Sequence, residues 1–325
     1  MVFNGNKQYK YKQKMLSHGF EKSDSDFFNS TDYDKVRQMM IDSLYDDVTN
    51  DIKYNLCSKN DILENGKYIL KKHFNNIDLK VNYNDMDELA KLILLKFGKK
   101  PSIYDSDKIL ELINNNSKKI NIYDVDVVVQ SGSFNSGKTK NYALPFSIKK
   151  LGNDFIKKIP YSISSIYLKG ECNEFLSQVY VHEMTHALVN RNKGIVKNML
   201  LNEMLPMFME KVASYDLNNE LLDKVILNRL LSTKRALNNI DHSKNNSYLK
   251  LHKKIYILSN ICATGLFDLY YKSNDFVKNK IDISVGKVIS GEMLLEDLLD
   301  EYNINFDNCV DIMCDQCKTY TKRIY

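Results

Sequence analysis

A pair of histidines four residues apart is the feature that most constrains what this chain can form. His182 and His186 enclose Glu183 in the segment Tyr180–Leu188, which reads YVHEMTHAL. In a helix, a four-residue spacing stacks both imidazole rings on one face, about one turn apart. Both rings can then reach the same ion, so the motif predicts a helix that carries two metal ligands.

The residue types in this motif suit zinc chemistry. Neutral imidazole nitrogens are good zinc ligands, and zinc lowers the pKa of a water molecule that it binds. Glu183 stands next to the first histidine and can take a proton from that water and pass it to a leaving amine. The alternative interpretation is that the two histidines and the glutamate lie on a helix without binding a metal. The apolar residues before and after the motif favour the metal interpretation, which predicts one zinc ion per chain.

A catalytic zinc site needs a third protein ligand. The methionine-rich, helical segment Leu201–Ser214 offers Glu203 and Glu210, which lie on nearly the same helix face. Glu203 is level with the histidines if this helix starts around residues 195–198, whereas Glu210 is level with them if it starts at Pro206. The glutamate that does not bind zinc is expected to orient a histidine through its free ring nitrogen.

These residues resemble the oligoendopeptidase F and thimet oligopeptidase family of zinc metallopeptidases, a gluzincin type. In that family a second helix reads E-x-x-S-x-x-x-E, and its first glutamate binds the metal. The segment Glu203–Glu210 keeps both glutamates and has Pro206 in place of the serine. The resemblance therefore implies Glu203 as the third zinc ligand, although Thr185 stands where the family usually has glycine.

Two further segments carry the same resemblance. Gln130–Phe134 is similar to a glycine-containing segment that leads into a strand beside the substrate, and His252 precedes an Ala-Thr-Gly sequence at residues 263–265. The resemblance implies that His252 contacts substrate and stabilises the oxyanion, with Tyr256 as the tyrosine candidate for the same task. The simpler alternative is a helix histidine packed against a neighbour and a core tyrosine.

A competing motif lies at Gly132–Thr139, which satisfies the phosphate-loop pattern G-x-x-x-x-G-K-[ST]. In such a loop backbone amides bind phosphates, and Lys138 and Thr139 would open a helix. Here Lys140–Pro145 leads instead into a strand-like stretch, which favours a hairpin turn. A P-loop nucleotide-binding protein and a non-catalytic, zinc-stabilised interaction protein remain the alternative functions.

The chain is expected to be mainly α-helical (α+β), with a zincin-like metallopeptidase fold. Only 4 prolines and 12 glycines occur in 325 residues, which suits long helices joined by polar connections. Helical spacing is found between Tyr33 and Asn114, and β-branched runs occur between Lys119 and Gly170. We expect an N-terminal helical region over 1–118 and a catalytic region over 119–325, together forming one compact unit. A small sheet is expected to edge the active-site cleft.

Few partners other than a peptide substrate are expected. The sequence contains no apolar run of the roughly 18 residues that a membrane span needs and no signal peptide, so a cytoplasmic protein without a membrane partner is expected. The formal net charge of +5 is modest and spread along the chain, which argues against a nucleic-acid partner. A peptide is expected to pair with the sheet edge between Gly132 and Ile148. The oligomeric state stays open.

Three cysteines near the end of the chain, Cys309, Cys314 and Cys317, follow a C-x4-C-x2-C pattern. Such thiols can bind a metal, but a structural zinc site needs four ligands and no histidine lies nearby. A helical tail with reduced cysteines is the preferred interpretation.

Overall fold

The computed structural model describes residues 33–43, 52–74, 126–131, 136–143, 162–193, 199–239, 247–290 and 292–324. These residues are mostly helical and carry one small sheet, which confirms the mainly α class. None of the helices they form combines the length and the apolar character that a membrane crossing requires. The helices are α1 (Tyr33–Ser43), α2 (Lys59–Phe74), α3 (Glu174–Lys193), α4 (Met199–Leu217), α5 (Asn219–Asn238), α6 (Ser247–Lys272), α7 (Asp275–Ser290), α8 (Leu295–Glu301) and α9 (Phe306–Ile324).

The sheet has three strands, β1 (Asp126–Gln130), β2 (Ser136–Ala143) and β3 (Ser162–Lys169), in the order β1-β3-β2. β3 pairs in parallel with β1 and antiparallel with β2. The predicted hairpin turn over Gly132–Thr139 is wrong, because residues 136–139 lie inside β2 and β3 separates β1 from β2. The residue types of this segment favour a turn, but residues 136–139 form a strand because they pair with β3. Strand formation often depends on such tertiary context more than on local preference.

One face of the sheet packs against α3. Residues directly opposite each other on antiparallel strands point to the same face, and Gly137 lies opposite Leu168 while Thr139 lies opposite Ile166. Leu168 and Ile166 are buried, whereas Lys138 between the two β2 residues is exposed. Gly137 and Thr139 therefore belong to the face that covers α3.

Helix α3 is buried along most of its length. Asn173 caps its start, because Oδ1 of Asn173 accepts a hydrogen bond from the backbone N–H of Leu176 over 3.2 Å. Every residue from Phe175 to Val189 is buried. Helix α2 packs on α3 where Gly66 meets the ring of Tyr180, and a side chain at Gly66 would collide with that ring. This burial holds the histidine-bearing helix in a fixed position.

Contacts divide the chain into two compact units that are not contiguous in sequence. One contains residues 55–195 and 282–294, and so includes the sheet with α2 and α3. The other contains residues up to 54, 196–281 and 295–325, and in it α6 packs against α4, α5 and α9. The predicted boundary between residues 118 and 119 lies outside the described residues, as does most of the predicted helical region between α2 and Asn114.

Candidate metal centre

The two motif histidines lie side by side on α3. The Nε2 atoms of His182 and His186 are 3.2 Å apart, and the ring centroids are separated by 4.8 Å with an interplanar angle of 73°. Both side chains are buried. The four-residue spacing thus gives the arrangement that helix geometry predicts, with both ring nitrogens directed to one point.

Glu203 on α4 completes a group of three possible metal ligands. One carboxylate oxygen of Glu203 and one ring nitrogen each of His182 and His186 all lie within 4.8 Å of one another. Glu203 is half-buried. Helix α4 begins at Met199, and Pro206 lies inside it rather than at its start. The helix does not begin at Pro206, so the condition that would place Glu210 level with the histidines is not met.

The donor set fits zinc. Two imidazoles and one carboxylate are a common ligand set for catalytic zinc, and ligands ~2.0–2.1 Å from a tetrahedral ion lie about 3.3 Å apart. The observed 3.2 Å between the histidine nitrogens matches this separation. The 4.8 Å within which all three ligand atoms lie is wider than this separation. A hydrogen bond between two neutral imidazole tautomers is the other arrangement compatible with the 3.2 Å distance.

The proposed general base, Glu183, is held against the sheet. Oγ1 of Thr139 lies 2.5 Å from Oε2 of Glu183 and 2.9 Å from its backbone oxygen. A Cβ atom added to Gly137 would lie 2.5 Å from Cγ and 2.7 Å from Oε1 of the same glutamate. Two residues of β2 therefore contact the carboxylate that stands next to one of the possible metal ligands, His182.

Glu210, the alternative third ligand, is fully buried and paired with an arginine. Nε of Arg229 on α5 donates to Oε2 of Glu210 over 2.8 Å, and Nη2 contacts the same oxygen. Nη1 of Arg229 donates to the hydroxyl oxygen of Tyr256 over 2.5 Å. Glu210 and Tyr256 thus both bind the guanidinium group of Arg229. The glutamate that joins the histidines in the group of possible ligands is Glu203.

The remaining residues that the sequence singles out are His252 and Lys138. His252 lies in α6, and its side chain is outside the described part of the chain. Lys138 is exposed in the middle of β2 and does not open a helix, so the setting that a phosphate loop requires is not found at this residue.

The three cysteines of the C-x4-C-x2-C pattern lie on α9 and are buried. Burial raises the pKa of Cys309 and of Cys317 to about 12, which keeps both thiols protonated near neutral pH. The ligand group found among the described residues does not include these cysteines. The pattern is thus part of a helix packed through its thiols, as the preferred interpretation expects.

The zinc motif does not indicate Gly137 and Thr139, which contact Glu183, or Arg229, which contacts Glu210. Gly137 and Thr139 belong instead to the segment that matches a phosphate loop. The spacing of Gly137 and Thr139 could have indicated that both face the same way, because positions two apart on a strand share a face. Arg229 has no motif around it, and only its contacts identify it.

No family model, curated protein or solved structure matches this chain. The resemblance to the oligopeptidase family therefore rests on the motif residues themselves and stays a prediction.

Proposed function

We propose that this protein is a zinc-dependent metallopeptidase of zincin-like fold that hydrolyses peptide bonds in oligopeptides. The observation that carries the proposal is the group formed by His182, His186 and Glu203, whose possible ligand atoms all lie within 4.8 Å of one another. Glu183 stands beside the first histidine on the same buried helix. Two imidazoles, a carboxylate and an adjacent glutamate are the parts that metal-assisted peptide hydrolysis needs.

A zinc ion bound by these three residues would acidify a water molecule and polarise the carbonyl of the scissile peptide. Glu183 accepts the proton of the attacking water and then delivers it to the leaving amine. The water oxygen forms the new bond to the carbonyl carbon, and the C–N bond breaks. One glutamate therefore acts first as base and then as acid, which requires its carboxylate to stay close to the reacting atoms.

Strand β2 offers a binding edge for the peptide. Among the strands that the structure describes, in the order β1-β3-β2, it lies at one end of the sheet, and its Thr139 contacts the proposed general base, Glu183. A peptide that adds to such an edge pairs through its backbone, so binding tolerates many side chains. This mode of binding supports oligopeptides as the substrate class.

Tyr256 and His252 are proposed to stabilise the oxyanion. The hydroxyl oxygen of Tyr256 accepts a hydrogen bond from Arg229, so the hydroxyl hydrogen can be donated to an oxyanion. Loss of one oxyanion donor typically costs on the order of 10²-fold in rate. These two roles remain predictions that depend on the family resemblance.

The first test combines metal content with peptide turnover. Purified wild-type protein and Glu183→Gln are compared for bound zinc and for cleavage of a quenched fluorescent peptide library. We expect one zinc per chain in both proteins, and a loss of turnover of roughly 10²–10⁴-fold in Glu183→Gln, the usual contribution of a general acid–base. Glu171→Gln is the matched control, because it makes the same change at an exposed residue just before α3 and should keep full turnover.

The outcome also separates the alternatives. Zinc in both proteins without cleavage by either would favour the zinc-stabilised, non-catalytic protein. Absence of bound zinc in the wild type would contradict the metal site itself. In that case nucleotide binding by wild type and Lys138→Ala would be measured next.

A further inference from the structure

Two residues of β2 meet the proposed general base from the same side. Gly137 and Thr139 are two positions apart on the strand and therefore face the same way, toward α3. Their partners on β3, Leu168 and Ile166, are buried on that face. Contact between β2 and Glu183 thus follows from the strand register.

Thr139 fixes one oxygen of the Glu183 carboxylate. Its Oγ1 lies 2.5 Å from Oε2 and 2.9 Å from the backbone oxygen of Glu183. A hydroxyl carries a single hydrogen, and donation to an ionised carboxylate gives the stronger of these two bonds. The hydroxyl therefore restrains the end of the glutamate side chain and not only the helix backbone.

Gly137 leaves room for the other oxygen. A Cβ at this position would lie 2.5 Å from Cγ and 2.7 Å from Oε1 of Glu183, and 2.6 Å from Cγ1 of Val179. All three separations are shorter than van der Waals contact, so any side chain at residue 137 would displace the carboxylate or separate β2 from α3. Residue 137 has to be glycine for Glu183 to keep its place beside the strand.

We propose that β2 positions Glu183 for proton transfer, with Thr139 binding one carboxylate oxygen and Gly137 providing the space for the other. This inference rests on the proposed function, because it assigns a task to the neighbours of its general base. Neither residue touches the substrate in this role, so both are positioning residues. A displacement of a reacting group by about 1 Å can cost on the order of 10²-fold in rate.

Four variants test the proposal. Thr139→Val removes the hydroxyl and keeps the shape, Thr139→Ser keeps the hydroxyl, and Gly137→Ala fills the space beside Glu183. Lys169→Ala is the control, since Lys169 is exposed on the neighbouring strand β3 and is not part of the β2 edge proposed for the peptide. Each variant is measured for bound zinc, thermal stability, kcat and KM.

Thr139→Val and Gly137→Ala are expected to keep one zinc per chain and a KM within about twofold of the wild type. Their kcat should fall by roughly 10–10²-fold, the size expected for a misplaced catalytic group. Thr139→Ser should recover kcat to within about threefold. Unchanged kcat in Thr139→Val, or an equal loss in Thr139→Ser, would overturn the proposal, because the hydroxyl would then have no specific effect.

Crystal structures of the zinc-loaded wild type, Thr139→Val and Gly137→Ala supply a result that does not depend on activity. The proposal predicts that the Glu183 carboxylate moves in both variants, and an unmoved carboxylate would overturn it. If the carboxylate moves while the wild type cleaves no peptide, the positioning holds and the peptidase function fails. The two conclusions are thereby distinguished.

Discussion

Lys211 on α4 is a buried lysine with an unusual environment. Its Nζ donates to Oδ1 of Asn260 over 2.8 Å. Burial, together with a smaller contribution from the nearby cation Arg229, lowers the pKa of Lys211 to about 7, although Glu210 acts in the opposite direction. A lysine in this state can lose its charge near neutral pH, which links the stability of the fold to pH.

We predict that the free energy of unfolding of the wild type rises with pH between about 7 and 9, relative to that of Lys211→Met. In the unfolded chain lysine titrates near pH 10.4, so over this range the unfolded state binds a proton that the folded state does not. The cost of burying Lys211 is therefore present in full below about pH 7 and falls as the pH rises. The difference between the two proteins should change by about 2 kcal/mol over two pH units.

Urea unfolding at three pH values in this range measures that difference. Lys211→Met keeps most of the buried volume and lacks the titrating amine, so pH effects that both proteins share cancel. A difference that stays constant with pH would show that the lysine keeps its ordinary pKa.

The sequence predicts well which residues lie close together when those residues are near each other along the chain. His182 and His186 are brought together by the pitch of one helix, and that pitch can be calculated from a spacing of four. The contact of Thr139 with Glu183 spans 44 positions and depends on how a strand docks on a helix. No spacing rule reports such a contact. The same reason applies to Arg229, whose bond to Glu210 joins two helices.

At the scale of elements, α6 and α9 pack against each other where Gly265 meets Cys309. A Cβ at residue 265 would overlap the sulfur of Cys309. This contact gives a packing reason for the glycine in the Ala-Thr-Gly sequence, independent of any role in catalysis. The thiol of Cys309 is buried, so it has little room to move away.

Gly265→Ala is predicted to destabilise the protein by about 1–3 kcal/mol, the usual cost of overpacking. In a helix interior the same change would otherwise stabilise by up to ~1 kcal/mol, so the sign of the effect reports the contact. In a Cys309→Ala background the sulfur is gone, and Gly265→Ala should become neutral or stabilising. A double-mutant cycle by chemical denaturation measures the coupling, and additive effects would contradict the close approach.

Element prediction succeeded for α3 and failed for β2, and the difference is physical. The N-cap and apolar run of α3 are local features, so its start at Glu174 could be inferred. The sequence of β2, SGKTKNYA, is rich in turn-forming residues and poor in β-branched ones. It is a strand because β3 provides a backbone to pair with, and that partner lies outside any local window.

At the scale of the whole molecule, metal binding should stabilise the fold. A ligand that binds only the folded state adds about 2.7 kcal/mol at 100 times its dissociation constant. The three proposed ligands come from α3 and α4, so unfolding of either helix would release zinc. We predict that a chelator lowers the melting temperature of the wild type by several degrees and that added zinc restores it.

His186→Ala is the control for this prediction. The variant removes one ligand, so its melting temperature should be nearly the same with chelator and with zinc. An equal response in wild type and variant would point to zinc binding elsewhere on the chain.

The mainly α class could be predicted from the whole sequence, since a chain with few prolines and glycines favours long helices. The division into two units could not be predicted. One unit combines residues 55–195 with residues 282–294, and such a grouping is created by contacts between distant segments. Composition changes mark boundaries only where a unit is continuous along the chain.

The burial of α3 also has a consequence for how such a chain diverges. Between Phe175 and Val189 the helix presents no exposed residue, so nearly every substitution there alters a packed neighbour. Between residues 306 and 319, helix α9 has exposed positions that can accept changes at little cost. Among descendants of a common ancestor, accepted substitutions should accumulate slowest along α3. Distant relatives would then retain the interior of this helix long after the rest of the sequence has drifted.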